Sequence, residues 1–383
     1  MLNRRTLRIK AMQTLYAIHQ AERSNYQLAQ DFIVETLQPD LNSMERQDPE
    51  RFEGLRKLAL MQLEETVNKK ETQEELPLMA RQVATEALNY YRQKTQQDRL
   101  RFVRDATSSI EHIYDQYLTI LLLLLELADE AQLFQERRYL DDGLNTKVLA
   151  GNQFIQALRE NTTFENEVIR RNLKWTEEDR VQYIRPFFKD VRQDETFQKY
   201  CEKNQHTSEE DAELIMHLLK QVIFKNEMIK TVFDEQNLQW SEDKDILRSL
   251  STKTVKSYQD GDLRLQTLLP GGEDDIAFFK DLLRHTLDNE ERFMQFIVDQ
   301  VTNWDSERIA LTDRILLMMA LAEMIYFSGI PVKVTINEFI EVAKDYSTPR
   351  SGQFLNGVLD TLSAKLREDG TIRKSGRGLI DNR

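Results

Sequence analysis

Cysteine is almost absent from this sequence of 383 residues, which contains only Cys201. A single thiol cannot close a disulfide within the chain, nor can it supply the paired thiolates of a Cys-rich zinc site. The five histidines are scattered, and none stands in HExxH spacing or beside another ligand at metal-binding spacing. The sequence therefore gives no candidate metal site, and it favours a reducing compartment.

Residues that break helices are also scarce, since the whole chain has 12 glycines and 7 prolines. Leucine, glutamate, glutamine, lysine and arginine dominate, and these are good helix formers. An alternating strand pattern is missing, and so are the P-loop, G-x-G-x-x-G and G-x-S-x-G motifs. We therefore expect an all-α protein that is not an enzyme and that needs no cofactor.

Long hydrophobic runs are lacking as well. The most apolar stretch, YLTILLLLLELA at 117–128, is too short to span a bilayer and lies between Asp115 and Asp129. The N-terminus has no apolar segment of the kind found in signal peptides. These features predict a cytoplasmic protein that does not contact membranes.

Positive charge is the minority, because the formal net charge is -13, yet the first 21 residues contain four cations and no acid. At 100° per residue, Arg4, Arg5 and Arg8 fall within an arc of about 100° on one helix. Guanidinium groups suit phosphate, and screening beyond ~8–10 Å lets a local patch keep its own sign. The pattern predicts a cationic helix tip, which is either an ordinary solvated helix end or a site for an anion such as an RNA phosphate.

An internal repeat involves all three tryptophans, which stand in the similar stretches LKWTEED, LQWSEDK and VTNWDSER. Trp175 and Trp240 are 65 positions apart, and Trp240 and Trp304 are 64 apart. Residues 210–233 also align without gaps on residues 274–297. We interpret each copy as helix, tryptophan corner, helix, with the indole filling the gap between helices. Chance similarity between amphipathic helices is the alternative.

Composition shifts predict five segments along the chain. They are a basic N-terminal helix 1–37, a helical extension 38–135, an inserted helical repeat region 136–272, a C-terminal helical domain 273–367 and a disordered basic tail 368–383. Two helix starts are predicted from capping boxes, in which a hydroxyl residue precedes a glutamate by three positions. The pairs are Ser108 with Glu111, and Thr335 with Glu338.

The C-terminal stretch DRILLMMALAEMIYFSGIPVKVTINEFIEVAKDYSTPRSGQFLNGVLD closely resembles the C-terminal half of the NusB family of transcription antitermination factors. The N-terminal RRTLRIKAMQTLY is similar to the arginine-rich first helix of that family. The resemblance covers about residues 3–35 and 274–366, and the expanded middle is typical of the long form in Bacteroidetes-type bacteria. It implies a NusB-like helical bundle of two subdomains, here with an expanded, internally repeated middle region.

The same resemblance carries functional expectations. Family members bind the boxA segment of ribosomal RNA transcripts, together with the ribosomal protein NusE, in the RNA polymerase antitermination complex. They have neither catalytic activity nor a cofactor, and some self-associate, which allows a homodimer here. Two alternatives remain in view: a protein-only adaptor that has lost RNA binding, and a ribosomal RNA methyltransferase. The missing strand pattern argues against the methyltransferase.

Individual site residues follow from the resemblance, position by position. The residues expected at the RNA are Arg4, Arg5, Arg8, Arg350, Gln353 and Phe354. Arg350 stands where relatives often carry an acid, so it adds a cation, whereas Phe354 has a core role as its alternative. Tyr16 and Asp313 match positions that contact the ribosomal protein, and Asp313 has a solvated helix charge as its alternative.

Overall fold

The computed structural model describes residues 2–39, 48–68, 76–136, 143–236, 240–300 and 309–382. All regular secondary structure within these ranges is helical, which confirms the expected all-α class. No helix among these residues is both long and apolar enough to cross a lipid bilayer.

Sixteen α-helices are described in these ranges and are numbered here in chain order. The first part of the chain forms α1 (Arg4–Thr36), α2 (Pro49–Val67) and α3 (Leu78–Glu136). The middle forms α4 (Gln153–Arg159), α5 (Thr162–Arg170), α6 (Glu177–Asp179), α7 (Arg185–Gln193), α8 (Glu195–Cys201), α9 (Ser208–His217), α10 (Glu227–Gln236) and α11 (Trp240–Gln259). The last part forms α12 (Glu273–Asp288), α13 (Glu290–Gln300), α14 (Leu311–Tyr326), α15 (Val332–Tyr346) and α16 (Ser351–Glu368).

The chain divides into two compact units. The first unit comprises Met1–Arg4 and Ser108–Asp275, and the second comprises Arg5–Thr107 and Ile276–Arg383. The divisions therefore fall near 107 and 275, whereas the sequence suggested limits near 135 and 272. The domain limits derived from the sequence stay a prediction.

The helix start predicted at Ser108 is wrong, because this residue lies inside α3. The structure shows one continuous helix of 59 residues, so Ser108 and Glu111 lie in its interior and form no cap. No glycine or proline occurs between Leu78 and Glu136, so the run contains no strong helix breaker, although Thr107 and Ser109 are only moderate helix formers. A serine in such a run does not interrupt the helix.

The second unit contains a core made by the last part of α1, by α2 and by the first part of α3. Small side chains on all three helices, among them Ala29, Ala59 and Ala84, are buried there. Such residues let helix axes approach closely and leave little empty space. The described part of residues 49–107 therefore packs directly on α1 and shares a core with it.

The other half of the second unit is organised around α14. Every residue from Ile315 to Met324 is buried, so this helix is enclosed on all sides. Helices α15 and α16 contribute Phe339 and Leu359, both fully buried, to the surrounding core. Glu323 is the one acid within the buried stretch of α14, where a carboxylate needs a partner of opposite charge.

In the first unit, aromatic contacts support the interpretation of the tryptophan corners. Trp240 stacks on Phe233 with ring centroids 4.5 Å apart, and Trp175 meets the same ring edge-on at 6.5 Å. Trp175 and Trp240 are 6% and 1% exposed, as expected for residues that fill gaps between helices. Trp304, in the third corner, lies outside the described residues.

Two buried aspartates at equivalent repeat positions add to this pattern. Asp211 accepts hydrogen bonds from the Gln153 backbone N–H at 2.7 Å and the Tyr200 hydroxyl at 2.6 Å. Asp275, 64 positions later, accepts one from the Gly271 backbone N–H at 2.8 Å. Both carboxylates lie in the first turn of their helix and accept a backbone N–H, but that of Asp211 comes from the start of α4, whereas that of Asp275 comes from the turn just before its own helix. The equivalent positions thus share burial and backbone hydrogen bonding but not the same donor.

The C-terminal tail is ordered up to residue 382, and the expectation of a disordered segment 368–383 is corrected. Residues Gly376–Asn382 form a short 3-10 helix. The backbone N–H of Ser375 donates to the Ser328 carbonyl at 3.0 Å, and Lys374 Nζ donates to the Phe327 carbonyl at 2.9 Å. Carbonyl groups at a helix end lack partners within the helix, and the tail supplies donors just after α14.

Candidate functional site

Arg8 is the most deeply enclosed of the expected RNA contacts. Its Nε and Nη2 atoms lie 2.7 and 2.8 Å from the two carboxylate oxygens of Glu323, and the two side chains are 3% and 0% exposed. Thr335 donates its hydroxyl to the same carboxylate at 2.8 Å. The rings of Phe278 and Phe339 lie 5.4 and 5.9 Å from the guanidinium carbon. Arg8 therefore belongs to the core, and its expected place at an RNA surface is corrected.

The same contacts correct the capping box predicted for α15. The helix begins after Pro331, so Thr335 lies inside it and uses its hydroxyl for Glu323. Glu338 lies one turn further along and also faces α1, with one oxygen 3.5 Å from Arg8 Nη1. Both residues thus make contacts between helices, and neither caps the start of α15.

Arg5 is held by Glu338 but remains at the surface. Its Nε and Nη2 each lie 2.9 Å from a Glu338 oxygen, and the two side chains are 43% and 23% exposed. This hydrogen-bonded pairing raises the pKa of Arg5 and lowers the pKa of Glu338. Exposed ion pairs typically contribute only about 0–1 kcal/mol, so a phosphate can compete with Glu338 for Arg5.

Arg4 belongs to the first unit. Its Nε lies 3.4 Å from Asp275, which is the carboxylate that also accepts the Gly271 N–H. The Arg4 side chain is 48% exposed. All three N-terminal guanidinium groups therefore have a carboxylate partner, but only that of Arg8 is closed off from solvent.

The start of α16 presents an open surface in the second unit. Arg350 and Gln353 are exposed, and Phe354 is half-buried. Gly352 packs against α15, where an added Cβ would lie 3.5 Å from Ile340. Gly357 is different, because none of the described atoms lies within 4 Å of the place where its Cβ would stand.

Helix α15 separates Arg5 from the start of α16. Besides Glu338, the acids Glu341 and Asp345 lie near enough to Arg5 to raise its pKa further. The residues of α15 that meet Gly352 are Ile340 and Lys344. At 100° per residue these two sets occupy neighbouring faces of α15. The structure thus brings two of the expected RNA elements, Arg5 and the start of α16, to adjacent faces of one helix.

Asp313 is not at the surface, which corrects its expected contact with a partner protein. The residue is 7% exposed, and its two oxygens accept hydrogen bonds from Ser347 at 2.7 Å and Ser351 at 2.8 Å. It ties the first turn of α14 to the end of α15 and to the first residue of α16. Tyr16, the other expected partner residue, is 43% exposed.

The network around Glu323 was not predicted, although the sequence contains a signal for it. An acid in the apolar stretch LLMMALAEMIY of α14 needs a cation when it is buried, because an unpaired buried charge is very costly. The sequence does not say which cation, and the answer is Arg8, 315 positions away.

Two other kinds of site, a reactive cysteine and a metal centre, find no support among the described residues. Burial raises the pKa of the Cys201 thiol to about 12, so this thiol stays protonated near neutral pH. Among the described residues, no group of three metal-ligating side chains comes together. The second unit thus presents a half-exposed cation, Arg5, and an exposed cation, Arg350.

Comparison with known proteins agrees with the sequence resemblance. The model of the NusB family matches residues 246–364. The "Transcription antitermination protein NusB" of Salinibacter ruber is 41% identical over 137 residues, which cover 34% of this chain and 86% of the relative. That of Chloroherpeton thalassium is 34% identical over 143 residues, covering 35% of this chain and 68% of the relative.

Two further matches are similar in extent. The protein of the same name from Bacillus licheniformis is 39% identical over 102 residues, covering 27% of this chain and 78% of the relative. A solved structure, "T. maritima NusB", matches with 30% identity and a TM-score of 0.24, covering 29% of this chain and 80% of that chain.

The matched region includes α14, α15 and α16, which carry Glu323, Glu338 and the open surface at Arg350. The part of the chain before residue 246 lies outside the family model. The curated relatives are nevertheless covered over at least two thirds of their own lengths at identities of 34–41%. The chain therefore belongs to the NusB family.

Proposed function

We propose that this chain is an RNA-binding transcription antitermination factor. It binds boxA-like single-stranded RNA of ribosomal RNA transcripts, together with the ribosomal protein NusE, within the RNA polymerase antitermination complex. The curated relatives carry the name of a transcription antitermination protein, which supports this assignment. The structural observation that carries it is that two cationic elements, Arg5 and the start of α16 with Arg350, lie at adjacent faces of α15.

The chemistry of this surface suits a single strand. Arg350 is exposed and forms no ion pair with any side chain that the structure describes, so it offers a full positive charge. Because the pair is partly exposed, Arg5 exchanges its carboxylate partner Glu338 for a phosphate at small cost. Gln353 is exposed for hydrogen bonding, and the half-buried ring of Phe354 provides a face on which a base can stack.

The partner protein binds elsewhere on this unit in our proposal. Tyr16 is 43% exposed on α1 and provides an amphipathic ring, a type of side chain that often anchors protein interfaces. A ribosomal protein is basic, and the net charge of -13 favours its approach. Asp313 has no part in this contact, because it is buried.

The test is a titration of fluorescent boxA-like RNA with the full chain, alone and with purified NusE. We expect Arg5→Ala with Arg350→Ala to weaken binding about 5- to 20-fold and to reduce the logarithmic salt slope by about 1.4, since each phosphate contact to a single strand contributes about 0.7. Arg284→Ala is the single-charge control, because Arg284 is 59% exposed and pairs only locally with Asp281. Equal affinity of the wild type and the double variant would contradict the proposed RNA surface.

A second candidate is a protein-only adaptor, and one observation favours it. Each of the three N-terminal arginines already has an internal carboxylate partner. If the full chain binds NusE but gives no change in RNA fluorescence at any salt concentration, the adaptor is the better description.

A further inference from the structure

The C-terminal tail, residues 369–382, lies beyond the region matched by the family model, which ends at residue 364. The tail is anchored at its start by Ile372, which is 5% exposed and donates its N–H to the Leu366 carbonyl at 2.7 Å. The Ser375 N–H and the Lys374 ammonium then bond to the carbonyls of Ser328 and Phe327. The tail thus has a defined position against the end of α14.

Close contact at Gly378 strengthens this conclusion. A Cβ built on Gly378 would overlap the carbonyl oxygen of Ser328, so a side chain at this position would push the tail away. The docked tail depends on glycine at this position.

The tail and the N-terminal helix converge on one residue, Glu323. Its carboxylate binds Arg8, while its backbone carbonyl lies 3.4 Å from Lys374 Nζ. Arg8 in turn lies 3.5 Å from Glu338, which holds Arg5. Ser328 stands four positions before α15 begins at Val332, and Glu338 lies six positions further, about 9 Å along the helix axis. The tail thus docks near the start of α15, less than two helical turns from the residue that holds Arg5.

The tail differs from α1 in how its cations are paired. Arg373 and Arg377 are exposed, and neither forms an ion pair with any side chain described in the structure. The Nε of Arg373 donates only to the Gly370 carbonyl. No carboxylate described in the structure pairs with these two guanidinium groups, whereas Arg4, Arg5 and Arg8 each lie beside a carboxylate that offsets their charge.

We propose that the docked tail is a second cationic arm of the RNA surface, with Arg373 and Arg377 contacting phosphates next to those bound at Arg5. This inference rests on the proposed RNA-binding function. A tail that merely covered the site would pair its cations with Glu338 or Glu341. Its docking contacts go instead to main-chain carbonyls, which leaves the guanidinium groups turned to solvent.

The experiment compares two double variants of the full chain in the same RNA titration with NusE. Arg373→Ala with Arg377→Ala removes the tail cations, and Arg248→Ala with Arg264→Ala removes two exposed arginines of the first unit with the same change in net charge. We expect the tail variant to bind about 5- to 20-fold more weakly and to lose about 1.4 from the salt slope, while the control stays near wild type. Both variants should keep the unfolding temperature of the wild type, because all four side chains are exposed.

A third variant, Gly378→Val, keeps every cation but disrupts docking, and we expect it to weaken RNA binding as well. If the wild type binds RNA and the tail variant matches the control, the inference about the tail is overturned while the proposed function stands. If the wild type with NusE does not bind the RNA at all, the proposed function and the inference are both overturned.

Discussion

Replacing Arg8 by alanine should destabilise the second unit far more than replacing its neighbour Arg5. The change leaves the fully buried Glu323 carboxylate with the Thr335 hydroxyl as its remaining hydrogen-bond donor. Removing one member of a buried ion pair typically costs 3–5 kcal/mol, because the other charge stays buried without compensation. Total stabilities are about 5–15 kcal/mol, so this loss is a large fraction.

Urea unfolding followed by circular dichroism measures the effect. We expect Arg8→Ala to lower the free energy of unfolding by about 3–5 kcal/mol. Arg5→Ala should lower it by less than about 1 kcal/mol, because the Arg5 side chain is 43% exposed. The two arginines lie in the same helix and both bind glutamates, so Arg5→Ala is a close control.

A double variant separates the buried charge from lost packing. Arg8→Met with Glu323→Leu removes both charges and fills most of the space, and such replacements are often neutral or stabilising. We expect the double variant to recover most of the stability that Arg8→Ala loses. The reasoning is refuted if Arg8→Ala costs no more than Arg5→Ala, or if the double variant is less stable than Arg8→Ala alone.

Three further predictions follow from other contacts. The hydrogen bond from Arg5 lowers the pKa of Glu338, so this pairing stabilises the fold above the ordinary carboxyl pKa. The stabilisation is lost as pH falls through the lowered pKa. Urea midpoints measured from pH 6 to pH 3 should therefore fall more for the wild type than for Arg5→Ala. Asp313→Ala should cost about 1–3 kcal/mol in urea unfolding, because the buried Ser351 hydroxyl and the half-buried Ser347 hydroxyl lose this acceptor, while NusE capture is unchanged. Trp240→Ala should cost about 3–5 kcal/mol, since the indole is 1% exposed, whereas the exposed Tyr16→Ala should cost less than about 1 kcal/mol.

Each of these has a result that would contradict it. Parallel pH profiles for the wild type and Arg5→Ala would show that the Glu338 pairing adds no stability. An Asp313→Ala protein that unfolds like the wild type but no longer captures NusE would return Asp313 to the partner interface. A Trp240→Ala protein as stable as Tyr16→Ala would mean that the tryptophan corner does not support the core of the first unit.

Much of the fold could be predicted from local sequence. The scarcity of glycine and proline predicted an all-α protein, and the described structure confirms it. The stretch from Asp313 to Asp360 predicted the family, and the comparisons confirm it. Helix starts were less predictable, because a capping box is also compatible with a helix interior. At Ser108 and Thr335 the neighbouring turns continue the helix, and that outweighs the capping pattern.

The candidate site was predicted in its composition but not in its arrangement. The sequence by itself determined that three arginines stand at the start of α1 and that a basic, glycine-rich tail ends the chain. Only the tertiary structure decided that Arg8 is enclosed with Glu323, that Asp313 bonds to two serines, and that the tail docks after α14. Helical periodicity is visible in residues three or four positions apart, so it can be read from the sequence. The partner of a buried charge can lie hundreds of positions away, and only the folded chain brings the two together. The folded chain therefore determines which cations remain at the surface.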